Sequence, residues 1–238
     1  MNTPFAWQTR TAPVGSAHFD EGLRQHMLRV YNYMGLGLGL TGVVAFLVAS
    51  IPALYQPLFG TPLKWAAILA PLAFVFFFSF RIHAISAATG QMLFWAFCAL
   101  MGLSLASVFL VFTGASIART FFITAAMFGA TSLYGYTTQR DLSKVGSFLV
   151  MGLIGIVIAS VVNLFIGSSA LQFAISIIGV LVFTGLTAYD TQSIKEQYAE
   201  SFGQEANSKL AVWGALSLYL NFINLFQLLL SLTGQREE

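Results

Sequence analysis

Charged side chains are the scarcest component of this 238-residue chain, with Asp, Glu, Lys and Arg together making up 8%. Soluble domains carry about 25%, so the chain cannot cover a water-facing surface, which excludes an ordinary soluble fold. Cysteine occurs once, at Cys98, which rules out an intrachain disulfide and any multi-thiolate metal site. It lies in an apolar run and reads as a small hydrophobe. The three histidines (His18, His26 and His83) are too scattered for a metal triad, and no His-Glu-x-x-His run is present. A formal net charge of +2 is too small to point to nucleic acid. Acid is rarest of all inside the apolar runs. Asp20, Glu21, Asp141, Glu196, Glu200, Glu205, Glu237 and Glu238 fall in tails or connections, leaving Asp190 as the one carboxylate within a candidate membrane segment.

What the chain has in abundance is apolar surface: 57% hydrophobic residues, 23 of the residues being Phe. Bilayer is the solvent this composition suits. Seven segments are long enough to span it, over residues 31–53, 63–82, 91–112, 117–136, 145–167, 171–194 and 210–232. Each rises ~1.5 Å per residue across a hydrocarbon core of ~30 Å. The breaks carry turn chemistry: Pro52 and Pro57 to Pro62, then Thr89-Gly90, then Gly167-Ser-Ser, the last short enough to force a tight antiparallel hairpin. The fold class is therefore an all-α membrane protein, a seven-transmembrane-helix bundle. Residues 1–30 form an N-terminal tail, 31–232 the membrane domain and 233–238 a short C-terminal tail. Gly35, Gly39 and Gly42, and Gly152, Gly155 and Ala159, have the small-xxx-small spacing expected of close helix packing. The run from Gly35 lacks the Gly-x-Gly-x-x-Gly order of a nucleotide loop.

Orientation follows from the basic residues. With the N-terminus inside, the inner side holds Arg10, Arg24, Arg29, Arg81, Arg140, Lys144, Lys195 and Lys209, and the outer side holds Lys64, Arg119 and Arg236. This asymmetry predicts a cytoplasmic N-terminus and an external C-terminus. The polar first thirty residues have no signal-peptide core, so the first span reads as an uncleaved anchor.

An ionisable group in a membrane helix costs several kcal/mol unless it meets water or a partner, so Asp190 is the first candidate functional residue. The alternative is an acid near the helix end that snorkels to the headgroups. Arg81, at the inner end of the second span, is its candidate counter-charge, or else a snorkelling positive-inside arginine. On the last helix Gly214, Ser217, Asn221 and Asn224 share one face. The sixth offers Thr184, Thr187 and Thr191 beside Asp190, and the fourth offers Thr124, Thr131 and Thr138 at heptad spacing. These stripes predict either a wet interior path or ordinary interhelical hydrogen bonding.

Three stretches carry a family resemblance: FFITAAMFGATSLYGYTTQRDLS from Phe121, FTGLTAYDTQ from Phe183, and GALSLYLNFINLF from Gly214. The chain resembles the Bax inhibitor-1 family (transmembrane Bax-inhibitor-motif proteins) in its bacterial inner-membrane branch, from about Arg24 to the end of the seventh span. The resemblance implies seven helices with the last one central, and a pH-sensitive calcium leak gated by paired aspartates on helices six and seven. It also implies modulation of a membrane-bound AAA protease. Asp190 matches the first gating aspartate, whereas the second is Asn221 here. An amide does not titrate and cannot share a proton between two acids. A single carboxylate remains, able to alternate between Asn221 and Arg81. An intramembrane aspartyl protease would need a second membrane aspartate, so no enzyme is expected. No resident cofactor is expected either, Ca2+ entering only as permeant ion. A non-conducting modulator that binds the protease or another membrane assembly is the competing reading.

Overall fold

A computed structural model describes the backbone of residues 14–81 and 85–237, and side chains over 21–77 and 85–237. The described residues form eight α-helices: α1 (Val14–Ser50), α2 (Pro52–Phe59), α3 (Leu63–Arg81), α4 (Ala87–Val111), α5 (Gly114–Thr137), α6 (Ser143–Ile166), α7 (Ser169–Gln197) and α8 (Gly203–Thr233). Six of them are long and apolar enough to cross a bilayer. The α2–α3 pair, bent by 86° at its break, makes a seventh if taken as one span. The all-α membrane architecture is thus as expected, with two local corrections. The proline-rich break after α1 is a short helix, because Pro52 sits in its first turn, where a missing N–H costs nothing. And α1 begins well ahead of residue 31, so part of the expected N-terminal tail is helical.

Helix α8 is the axis of the bundle and packs against α1, α4, α5 and α7. Leu218, Tyr219 and Leu225 on it are fully buried. Helix α6 is peripheral, burying only Gly146 and Leu149 against its neighbours. It reaches α7 through the predicted hairpin. Gly167 ends α6 with φ +66°, a left-handed C-cap that only glycine adopts without strain. Ser168 then accepts from the Leu171 amide at 3.3 Å to start α7. At the other end of the bundle, the C-terminal tail pairs with the α4–α5 connection: the Thr113 amide donates to the Gln235 carbonyl at 3.0 Å.

Small residues set the helix spacing, but not all of those the pattern singled out. A Cβ on Gly135 would meet the Ala188 backbone, which is why α5 and α7 can touch. Gly37 and Gly102 do the same for α1 and α4, facing the Phe94 ring and the Thr41 carbonyl respectively. Gly35, Gly39 and Gly42 face open space, and so does Gly155. The expected packing stripe of α1 is therefore displaced: the face in contact carries Gly37, and the three spaced glycines line a gap.

Candidate functional site: a lone carboxylate against the central helix

Asp190 lies seven residues before the end of α7, about 10 Å into the helix at 1.5 Å per residue. It is partly buried and turned toward α8. Two donors on α8 converge on one of its oxygens. The Ser217 hydroxyl donates to Oδ2 at 2.6 Å, and the Asn221 amide donates to the same Oδ2 at 2.8 Å. Ser217 and Asn221 are one turn apart, so their spacing of four aims both side chains at one point across the interface. Among the described residues, no donor reaches Oδ1, and no Lys, Arg or His lies within ion-pair distance of the carboxylate. The expected partner Arg81 is the last residue of α3, and its side chain lies outside the described residues.

The rest of the expected polar seam divides. Thr191, beside Asp190, joins a second contact: its hydroxyl meets that of Ser132 on α5 at 3.0 Å, and Ser132 in turn bonds the Tyr31 hydroxyl on α1. Thr187 donates to the Phe183 carbonyl and Thr131 to the Met127 carbonyl, both at 2.8 Å within their own helices. The Asn224 amide likewise donates back to Leu220 at 2.8 Å. Threonines in mid-helix satisfy themselves on the preceding turn in this way. They therefore do not form one shared polar path with Asp190. Thr124 is buried, and it too is satisfied by its own helix, donating to the Thr120 carbonyl at 2.8 Å.

Three features were not singled out from the sequence. Ser132, rather than Thr131, is the α5 residue that meets α7. The buried face of α5 runs Ser116, Thr120, Thr124, Phe128, Ser132, a ridge of spacing four rather than the heptad of Thr124, Thr131 and Thr138. Gln192, two residues beyond Asp190, clamps the α5–α6 connection at both ends of its amide. It accepts from the Leu142 amide and donates to the Arg140 carbonyl, each at 2.8 Å. Lys195 completes this end by donating to the Tyr136 carbonyl at 2.9 Å, over that residue's ring. Finally, Tyr219 and Thr41 form a buried pair at 2.6 Å on another side of α8. Among the described residues no group of three or more His, Cys, Asp or Glu could hold a metal ion.

The arrangement has a definite chemistry. Among the described residues this carboxylate is held by neutral donors alone, and a charge left without a cation inside an apolar bundle is expensive. Its free oxygen is the place where a proton or a cation relieves that cost.

Sequence comparison adds the relatives. Residues 23–238 match the family described as "Inhibitor of apoptosis-promoting Bax1". The inner membrane protein YbhL of Escherichia coli (strain K12) is 49% identical over 218 residues, covering 90% of this chain and 93% of YbhL. A Rickettsia prowazekii protein is 48% identical over 231 residues, 97% of this chain and 98% of its own. A membrane protein of Streptococcus pyogenes shares 36% over 221 residues, 92% of this chain and 96% of its own.

Proposed function

The chain belongs to the Bax inhibitor-1 family of integral membrane proteins, and we propose that it acts as a pH-sensitive leak for Ca2+ or another cation, with Asp190 as the intramembrane acid. The observation that carries this reading is the asymmetry of the carboxylate. One oxygen is occupied by Ser217 and Asn221, and the other has no donor among the described residues. Protonated, the side chain is a neutral latch between α7 and α8. Ionised, it attracts a cation, so protonation and ion occupancy compete for one oxygen. With a single acid, one proton governs that competition. The Lys/Arg asymmetry supports a cytoplasmic N-terminus, and in that orientation Asp190 would lie toward the cytoplasmic end of α7.

Calcium flux into dye-loaded liposomes containing the purified chain tests this. Wild type is expected to conduct with a shallow, one-proton pH dependence. Asp190→Asn should remove that dependence while preserving the side chain's shape. A variant that conducts like wild type across pH would sink the assignment of Asp190. A wild-type chain with no flux at any pH would favour the second reading, a non-conducting modulator that binds a membrane-bound AAA protease or another membrane assembly.

A further inference from the structure

Helices α1 and α5 stand apart along most of their length, and between them runs an open groove of about 1090 Å³ floored by Phe222 of α8. On α1 it extends from Arg24 to Val43, about 29 Å at 1.5 Å per residue, close to the ~30 Å of a hydrocarbon core. A second cavity of about 330 Å³ continues it, sharing Leu38, Gly42, Phe121 and Phe222. The groove exists because its walls are shaved: Gly35, Gly39 and Gly42 on α1 and Gly129 on α5 each face empty space. Helical glycine costs about 0.5–1 kcal/mol relative to alanine, and at these positions no helix contact within the chain requires it.

Polarity along the groove is one-sided. Its polar lining (Arg24, Tyr31, Ser132 and Tyr136) lies toward the start of α1 and the end of α5, which are the same end of the bundle. Beyond Tyr31 and Ser132 both walls are apolar. Among the described residues, Arg24 is the only charged one in the lining, and no carboxylate lines the groove. Glu21 lies 3.1 Å from the guanidinium in an exposed i, i+3 pair. Such surface pairs are weak, so the guanidinium is free to turn to another anion. A transmembrane helix would need no charge at one end of its cleft. An amphiphile with an anionic head and a long tail needs this polarity.

We propose that the α1–α5 groove is a binding site for an anionic phospholipid, drawn from the leaflet that Arg24 faces. The phosphate sits at Arg24 and Tyr136, and an acyl chain lies along the glycine-lined wall past the Tyr31–Ser132 contact. Because Ser132 also bonds Thr191, the residue after Asp190, the lipid would lie one hydrogen-bonded contact away from the helix that carries the carboxylate. The site itself is inferred from the groove alone and stands apart from any conduction.

Native mass spectrometry of the full chain in detergent tests it, with phosphatidylglycerol and phosphatidylcholine of identical acyl chains as the probes. Wild type is expected to retain phosphatidylglycerol about fivefold better, the effect of one basic side chain near a lipid surface. Arg24→Gln should make the two lipids equal. Gly39→Phe should lower retention of both severalfold, and Gly129→Leu should do the same from the opposite wall, so the result does not hang on one variant's folding. Equal retention of the two lipids by wild type overturns the proposal, as does retention that neither groove variant changes. A wild-type dimer that Gly39→Phe splits would overturn it too, assigning the groove to a second copy of the chain.

Discussion

Helix α8 makes two polar contacts from neighbouring turns, and they are built to opposite rules. On one side, Tyr219 is fully buried and its hydroxyl meets Thr41 at 2.6 Å. Thr41 in turn reaches the carbonyls of Gly37 and Cys98, each at 2.9 Å. Phe94 and Phe97 pack edge-on against the Tyr219 ring. All these groups are neutral, and the two hydroxyls are satisfied. On the other side, Ser217 and Asn221 hold a single oxygen of a partly buried acid, and no donor among the described residues reaches the second. The closed contact ties α8 to α1 and α4, and the open one ties α8 to α7. A completed polar contact in a bundle contributes rigidity, whereas an incomplete one around an ionisable group invites a proton or an ion.

The contrast breaks first where the closed contact is removed. Tyr219→Ala should destabilise the bundle by about 3–5 kcal/mol, the usual cost of deleting a fully buried aromatic ring. Thermal melting in detergent measures it. Tyr219→Phe keeps the ring and loses only the hydroxyl, so it should cost about 1 kcal/mol, since Thr41 retains its carbonyl acceptors. Neither change should alter the pH dependence of flux in the folded protein. A shift in that dependence would show that the two sides of α8 are one functional unit.

The open contact is sharpened by Asn221→Asp. This change replaces the amide donor with a group that can donate to Asp190 only while protonated. At low pH the pair shares a proton and the α7–α8 contact survives. As pH rises, two like charges face one another and a donor is lost, an effect of about 1–3 kcal/mol. Melting temperature should therefore fall with rising pH more steeply than in wild type. The flux profile should change from about one proton to about two, as expected of coupled acids. A wild-type profile already showing two protons would place another acid in the sensor.

Much of this molecule is legible in its sequence. Long apolar runs gave away the spans because bilayer thickness fixes their length, and Asp190 stood out because acid is costly there. Asp190, Ser217 and Asn221 meet because a spacing of four on α8 leaves them little choice. The threonines misled for a physical reason. A hydroxyl that bonds its own helix and one that bonds a neighbour have the same periodicity, and only the packing of α5 on α7 selects Ser132 over Thr131. The bend at α2 was hidden in a proline cluster that suits a turn and the first turn of a helix equally well.

The smallest predicted effect separates two glycine faces of α1 that the pattern could not tell apart. A methyl group on Gly39 enters open space, so Gly39→Ala should stabilise the helix by about 0.5–1 kcal/mol by restricting the unfolded chain. The same methyl on Gly37 would run into the Cys98 sulfur and the Phe94 ring. Both belong to the fully buried α4 face, which also supports Tyr219, and neither can move without disturbing the closed contact. Gly37→Ala should therefore destabilise, by about 1–3 kcal/mol as an overpacked core position. Melting the two variants side by side gives opposite signs if α1 packs through Gly37. Matching signs would mean that α1 sits rotated, with its three spaced glycines against α4 after all.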